Sequence, residues 1–356
     1  MKKVIIIDGK NAVYRHGMVN LHLSRSDGFP TGAIYGCLNS MIAIARYIPD
    51  ASFVWVWDGD GETWRQKMTR ENVLVKASFM ANVEHNAKPR KHERKYGYKA
   101  NRVRPKEEEK DDAPKYPQDG KPRVDIQIPV LRLILEGSGF RNFQIPNLEG
   151  DDLIAILTRY LLKHHYEVII HSGDKDFFQL LKHSHVKVLL RSKDGKPLYI
   201  DPKGVKKEYG VSVRNWVKYR AWTGDPSDNI PHLRNVGGSA AIKLLNAGLD
   251  PSLPFSKINE NPLPKQLKRF FEPDGIERTW PFVEQNYKLC KLVSRASDER
   301  LPEKIREKVQ SLLYDIEFRR DNKRITVESY RRVSYLLMSY QLNSILSQRG
   351  LFWGIK

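Results

Sequence analysis

Val4-Ile5-Ile6-Ile7-Asp8-Gly9 is an unbroken β-branched run that stops abruptly on an acid and a glycine. A run with no polar alternation suits a strand covered on both faces, as in a parallel sheet. Phe53-Val54-Trp55-Val56-Trp57 repeats the pattern and ends in Asp58-Gly59. Further strands are expected at Phe143-Gln144-Ile145, Glu167–His171 and Val186–Leu190. Helices are expected at Thr31–Tyr47, with Thr31 as N-cap and Pro49 beyond its end, and at Ile126–Leu135, Asp151–Lys163 and Lys175–Leu181. Alternating β and α segments with apolar strands define an α/β core.

The chain has 356 residues, enough for a large core and for two domains or one domain with an accessory part. Its 40% hydrophobic and 29% charged composition is that of a globular protein. The formal net charge of +19 points to a polyanionic partner, most often nucleic acid. Cys37 and Cys290 exclude a disulfide framework and a cysteine-based zinc site. The apolar run after Lys3 is too short for a secretory leader, and no stretch is long enough to span a membrane. A cytosolic protein is expected.

The carboxylates fall in a telling pattern. Asp8, Asp58 and Asp174 each follow the C-terminal end of an apolar strand, where open parallel sheets bind their ligands. Glu149, Asp151 and Asp152 start a helix, and Asp176 follows Asp174 by two residues. Any one of these could be a helix N-cap or a turn residue. Repeated at one sheet edge, they cannot all stay ionised without a positive charge, and hard divalent cations such as Mg²⁺ or Mn²⁺ supply it.

Thr223–Leu245 carries a second signal. Asp225 and Asp228 lie three residues apart near the end of an expected Val213–Trp222 helix. The run from Ile230-Pro231 to Val236-Gly237-Gly238 then reads as a hairpin feeding an amphipathic helix. Backbone N–H groups of such a hairpin and a helix N-terminus form a sequence-independent phosphate site.

At this point the chain resembles the 5′-nuclease family, which comprises flap endonucleases and 5′→3′ exonucleases. The resemblance is to stand-alone bacteriophage enzymes and to the 5′-nuclease domain of bacterial DNA polymerase I, over about residues 3–250. It rests on IIIDGKNAVYR (Ile5–Arg15), VWDG (Val56–Gly59), TWR (Thr63–Arg65), YKANR (Tyr98–Arg102), EGDD (Glu149–Asp152), SGDKDFFQLL (Ser172–Leu181) and TGDPSDNIP (Thr223–Pro231). The resemblance implies a PIN-like parallel-sheet core, a helical arch and a helix–hairpin–helix region. It implies two divalent metals held by Asp8, Asp58, Glu149, Asp151, Asp152, Asp174, Asp176, Asp225 and Asp228. Lys99 and Arg102 would face the scissile phosphate. The hairpin at Asn235, Val236, Gly237, Gly238 and Ser239, with Lys243, would grip duplex DNA and hold a K⁺ ion. Arg65 and the basic stretch of Lys88, Arg90, Lys91, Arg94 and Lys95 are further expected DNA contacts.

On this reading residues 1–212 form the nuclease core, with the arch and a basic insertion at about 60–125. Residues 213–300 form the duplex-binding region, and residues 301–356 carry no legible motif. His232 and Asn235 stand where the family usually has glycine, and Asn235 can keep the turn because asparagine tolerates positive φ. Tyr14, Tyr96 and Tyr98 are either base-stacking platforms or core residues. The expected substrate is branched or 5′-ended DNA, RNA primers included, cut by a monomer during replication or repair. The competing readings are a PIN-type single-strand ribonuclease, which would lack the Thr223–Leu245 block, and a structure-specific DNA-binding protein without cleavage.

Overall fold

Residues 1–71, 98–99, 123–193, 196–258, 264–272, 274–318 and 326–348 are described by the structure, a computed structural model. A six-stranded sheet, ordered β3-β2-β1-β4-β5-β6, organises them. Strands β1 (Lys3–Asp8), β2 (Ala51–Val56), β3 (Arg141–Phe143), β4 (Glu167–His171) and β5 (Val186–Lys193) are mutually parallel. The edge strand β6 (Lys196–Ile200) runs antiparallel to β5. The strand after Phe140 thus starts two residues earlier than expected, and β6 is an addition to the expected strands.

The apolar run in β1 is explained by its place between β2 and β4. Ile5 and Ile7 face one layer, built from α2 (Gly32–Tyr47), α4 (Val124–Gly137) and the C-terminal helices α11 (Val327–Ser339) and α12 (Asn343–Ser347). Val4 and Ile6 face the other, built from α5 (Gly150–Lys163), the 3₁₀ turn Lys175–Lys182, α6 (Pro202–Tyr209) and α10 (Glu303–Phe318). Chain order breaks at β1, with β2 on one side and β4 on the other. That reversal opens a crevice at the C-terminal strand ends. The short helices α1 (Gly9–Val19) and α3 (Trp64–Glu71) begin beside it.

A separate core joins α7 (Trp216–Thr223), α8 (Gly238–Asn246) and α9 (Gly275–Cys290) through Trp222, Leu233, Val236, Leu244, Phe271, Trp280 and Val283. Packing divides the chain differently from the expected boundaries at 212/213 and 300/301. Trp216 belongs to the sheet's core, and Leu292, Val293, Leu301, Ile305 and Val309 return to it. The motif-free last segment is therefore part of the fold, with α10 on one face of the sheet and α11–α12 on the other.

Candidate metal centre

Acids at or after the ends of β1 to β4 reach the site by specific local devices. Asp8 closes β1 and caps α1, accepting from Asn11 N at 3.1 Å, while its other oxygen accepts from Ser172 Oγ at 2.8 Å. Asp58 lies two residues beyond β2 and accepts from Gly150 N at 2.8 Å and from Lys10 Nζ at 2.6 Å. The next residue must be glycine, since a Cβ on Gly59 would fall 1.8 Å from the Ile145 carbonyl oxygen. Glu149 is the N-cap of α5 and Asp151 sits in its first turn. Asp174 caps the following 3₁₀ turn, accepting from Asp176 N at 2.9 Å. Capping and cation binding were alternatives in the sequence; Asp174 caps with one oxygen and leaves the other to the crevice, whereas Asp8 caps with one oxygen and accepts from Ser172 with the other.

The electrostatics mark these groups as one cluster. Burial pushes Asp8 up to about 6, against the hydrogen bonds from Asn11 and Ser172 and with help from the Asp174 and Asp58 charges. Burial, then the charges of Asp174 and Asp8, raises Asp151 well above the carboxylate range. Burial and neighbouring carboxylates raise Asp174 and Asp176 as well. Burial works the same way on Asp58 and Asp225, but Lys10 in one case and Arg220 in the other outweigh it, and both acids are held down.

Asp225 caps the short 3₁₀ turn between α7 and α8, and Asp228 is its last residue. Together with Asp176 they bring one carboxylate oxygen each to within 4.8 Å of one another, all buried. Hard oxygen donors this close suit a divalent cation. The residues fit such an ion.

Lys99 reaches into the cluster, with Nζ 3.3 Å from Glu149 Oε1 and 3.8 Å from Asp228 Oδ2. Its φ of +54° is unusual for a lysine, and its N–H donates to the Asp228 carbonyl at 2.8 Å. Burial works against its charge, but Glu149 and Asp228 dominate and raise its pKa. Tyr98 beside it is buried, with its hydroxyl 3.1 Å from Glu149 Oε2 and 3.0 Å from Asp228 Oδ2. It is a core residue, packed with Ile230, Leu289 and Cys290, whose hydroxyl also bridges two acids of the site.

Two expectations are corrected. Asp152 is fully buried and all its capacity is used within the protein. Oδ1 accepts from Arg65 Nη2 and Val293 N, and Oδ2 from Arg65 Nη1 and Trp64 Nε1, at 2.7–2.9 Å. It holds Arg65 rather than a metal. Arg65 is 1% exposed and spans Asp152, Glu149 and the Leu289 carbonyl, so it positions the cluster and cannot touch DNA. Sequence reading also missed Lys10, Ser172 and Arg220 as partners of Asp8, Asp58, Asp176 and Asp225. The only signal was their closeness in sequence to the motif acids.

In the hairpin, Asn235 adopts φ +60°, as its side chain allows. Gly237 is the N-cap of α8, and Ser239 and Lys243 are exposed. Val236 does not offer itself to a phosphate: its side chain is in the core and its N–H donates to Leu233 O at 3.0 Å. Gly238 passes so close to Tyr219 that a Cβ would lie 2.6 Å from the phenol oxygen. Between this hairpin and Lys175 lies an open cleft of about 360 Å³ lined by Tyr209, Trp216, Tyr219, Arg220 and His232. Lys88, Arg90, Lys91, Arg94, Lys95 and Arg102, with Tyr96, lie outside the described residues.

Known proteins are similar to this chain. The family model described as 5′-3′ exonuclease, N-terminal resolvase-like domain, matches residues 70–210. DNA polymerase I of Deinococcus radiodurans is 33% identical over 242 residues, 68% of this chain and 20% of that protein. A 5′-3′ exonuclease of Aquifex aeolicus is 29% identical over 245 residues, 69% of each chain. The chain spans only about a fifth of the length of the polymerase relatives. A bacteriophage T5 flap endonuclease, solved as a pseudo-enzyme–product complex with DNA and metal ions, has the same fold. It aligns with a TM-score of 0.60 and 17% identity, over 88% of this chain and 98% of its own.

A mostly parallel sheet with carboxylates gathered at its reversal point defines the class as an α/β fold with an acidic centre. Within that class, the chain belongs to the 5′-nuclease family of 5′→3′ exonucleases and flap endonucleases.

Proposed function

We propose that this protein is a structure-specific 5′-nuclease that hydrolyses phosphodiester bonds in 5′-flap, nicked or 5′-ended duplex DNA, RNA-primed ends included. The observation that carries the reading is the convergence of Asp176, Asp225 and Asp228 beside Lys99 and the Asp8–Asp58–Asp151–Asp174 cluster. Two Mg²⁺ or Mn²⁺ ions, when bound, would lower the pKa of a water and offset charge on the leaving oxygen. Asp8, Asp58, Glu149, Asp151, Asp174, Asp176, Asp225 and Asp228 would hold them. Lys99, and Arg102 with it, would neutralise charge that builds on the phosphoryl oxygens.

The first N–H groups of α8 lack partners within the helix, and its Gly237–Gly238 start lines the cleft beside Lys175 and His232. They suit the phosphates of a duplex, with a K⁺ ion at the same hairpin. The net charge of +19 supports a polyanionic partner such as DNA; a replication or repair role in the cytosol, as a monomer, is part of the same proposal. Cleavage of end-labelled flap, nicked and RNA-primed duplexes, with Mg²⁺ and with EDTA, tests the reading. Metal-dependent cuts near the junction are expected. Cutting of single-stranded RNA alone, or DNA binding without cleavage in any metal, would overturn it.

A further inference from the structure

Four basic side chains reach the acids of the candidate site among the described residues, and they differ sharply in access to solvent. Arg65 is 1% exposed, Lys99 13% and Arg220 15%, and each is tied to more than one protein oxygen. Lys10 is 45% exposed, and its Nζ meets Asp58 Oδ2 alone, at 2.6 Å. Asp58 itself is one-third exposed, at the mouth of the crevice.

The position of Lys10 is costly for its own helix. It lies in the first turn of α1, where the macrodipole favours anions and disfavours a cation. Local helix stability therefore gives no reason for a lysine there, whereas the Asp58 carboxylate does. The first turn also carries no acid that would pair with it along the helix.

We propose that Lys10 is a resident counter-cation of the crevice, holding Asp58 until a divalent ion takes that oxygen and thereby setting how much metal the site needs. The inference rests on the metal reading of the preceding section. Lys10 offsets part of the repulsion among Asp8, Asp58, Asp151 and Asp174, which lowers the gain from metal. Its stem is free enough to swing toward solvent when the ion arrives, which the buried Arg65 cannot do. In this role it is a positioning residue, not a catalytic one.

The test is Mn²⁺ binding, read from the electron paramagnetic resonance signal of free Mn²⁺ at fixed pH and ionic strength, without DNA. Lys10→Gln is expected to bind Mn²⁺ about three- to tenfold more tightly than wild type, the effect of one partly screened charge removed from beside the ion. Lys10→Ala should match it, and Lys10→Arg, which keeps the charge, should bind as wild type does. Since Lys10 is surface-lying, circular dichroism should be unchanged in all of them. Equal or weaker binding by Lys10→Gln and Lys10→Ala would overturn the proposal while leaving the metal site intact. Failure of wild type itself to bind Mn²⁺ would instead remove the metal reading on which the proposal stands.

Discussion

Arg65 and Asp152 meet as a bidentate pair, Nη1 to Oδ2 at 2.7 Å and Nη2 to Oδ1 at 2.9 Å, with both side chains at most 1% exposed. The pair ties α3 to the first turn of α5 and, through Val293 N, to the chain beyond α9. It therefore fixes where Glu149 and Asp151 stand relative to the crevice, without entering it.

Asp152→Asn should consequently behave as a structural lesion. Removing one of the two buried carboxylates that hold Arg65 leaves its charge offset by Glu149 alone, at a cost approaching that of a broken buried pair, about 3–5 kcal/mol. Urea denaturation in EDTA should record a loss of that order. A variant as stable as wild type would return Asp152 to the metal ligands.

Asp174→Asn should do the reverse in the absence of metal. Its carboxylate is raised by burial and by like charges, and asparagine keeps an oxygen for the Asp176 N–H. Melting in EDTA should rise, by an amount corresponding to about 1 kcal/mol. The further rise on adding Mg²⁺ should shrink, and flap cleavage should fall by about 10²–10³. Near wild-type cleavage by this variant would mean that Asp174 is not in the catalytic centre.

Metal stabilisation should depend on pH with a definite sign. Asp8, Asp151, Asp174 and Asp176 have raised pKa values, so above about pH 4 the metal-free folded chain holds more protons on them than the unfolded chain does. Their contribution to stability is present at low pH and is lost as pH rises through the folded value, about 6 for Asp8. Buried His16 and His171, pushed down by burial and by Arg15, act with the opposite sign. They do so with or without metal, and cancel in the difference. Asp58 and Asp225, held down, lose their contribution only below the usual carboxylate value. The gap between melting temperatures in Mn²⁺ and in EDTA should therefore widen from about pH 4.5 to about pH 6.5, as protons leave the ligands. A gap constant across that window would contradict a shared carboxylate site.

The basic stretch should act on binding and not on chemistry. Replacing Lys88, Arg90, Lys91, Arg94 and Lys95 with Ala should weaken flap binding at low salt. It should also reduce the slope of log affinity against log salt by about 0.7 for each phosphate that is no longer neutralised. Single-turnover cleavage at saturating DNA should change little. An unchanged slope would make the stretch a solvated charge run.

Much of this was legible because strand ends and acids coincide in the sequence. An apolar run bounded by turn residues reads as a doubly covered strand, and an acid at its end falls at the crevice edge. What stayed hidden depended on rotation and distance. Asp151 and Asp152 are adjacent in α5 and so point about 100° apart, and nothing local says which one meets Arg65. Lys10 reads as a solvated lysine until β2 brings Asp58 beside it. β6 was missed because a short edge strand alternates with polar residues, although Asp194-Gly195 is a recognised hairpin dipeptide. The last helices carry no motif because their meaning lies in partners far back along the chain, such as Leu131 and Ile134 for Val333 and Leu337.

Those last helices impose an order on synthesis. One face of the sheet is completed only when Leu301, Ile305 and Val309 arrive, and the other only with Val333, Leu337, Leu342 and Ile345. A ribosome that has released β1 to β6 has therefore exposed a sheet still bare in part on both sides. The nascent chain must carry that apolar surface through more than a hundred further residues. Its acidic crevice closes in the same order, gaining Asp225 and Asp228 only after β6, and the Leu289 and Val293 anchors of Arg65 and Asp152 later still.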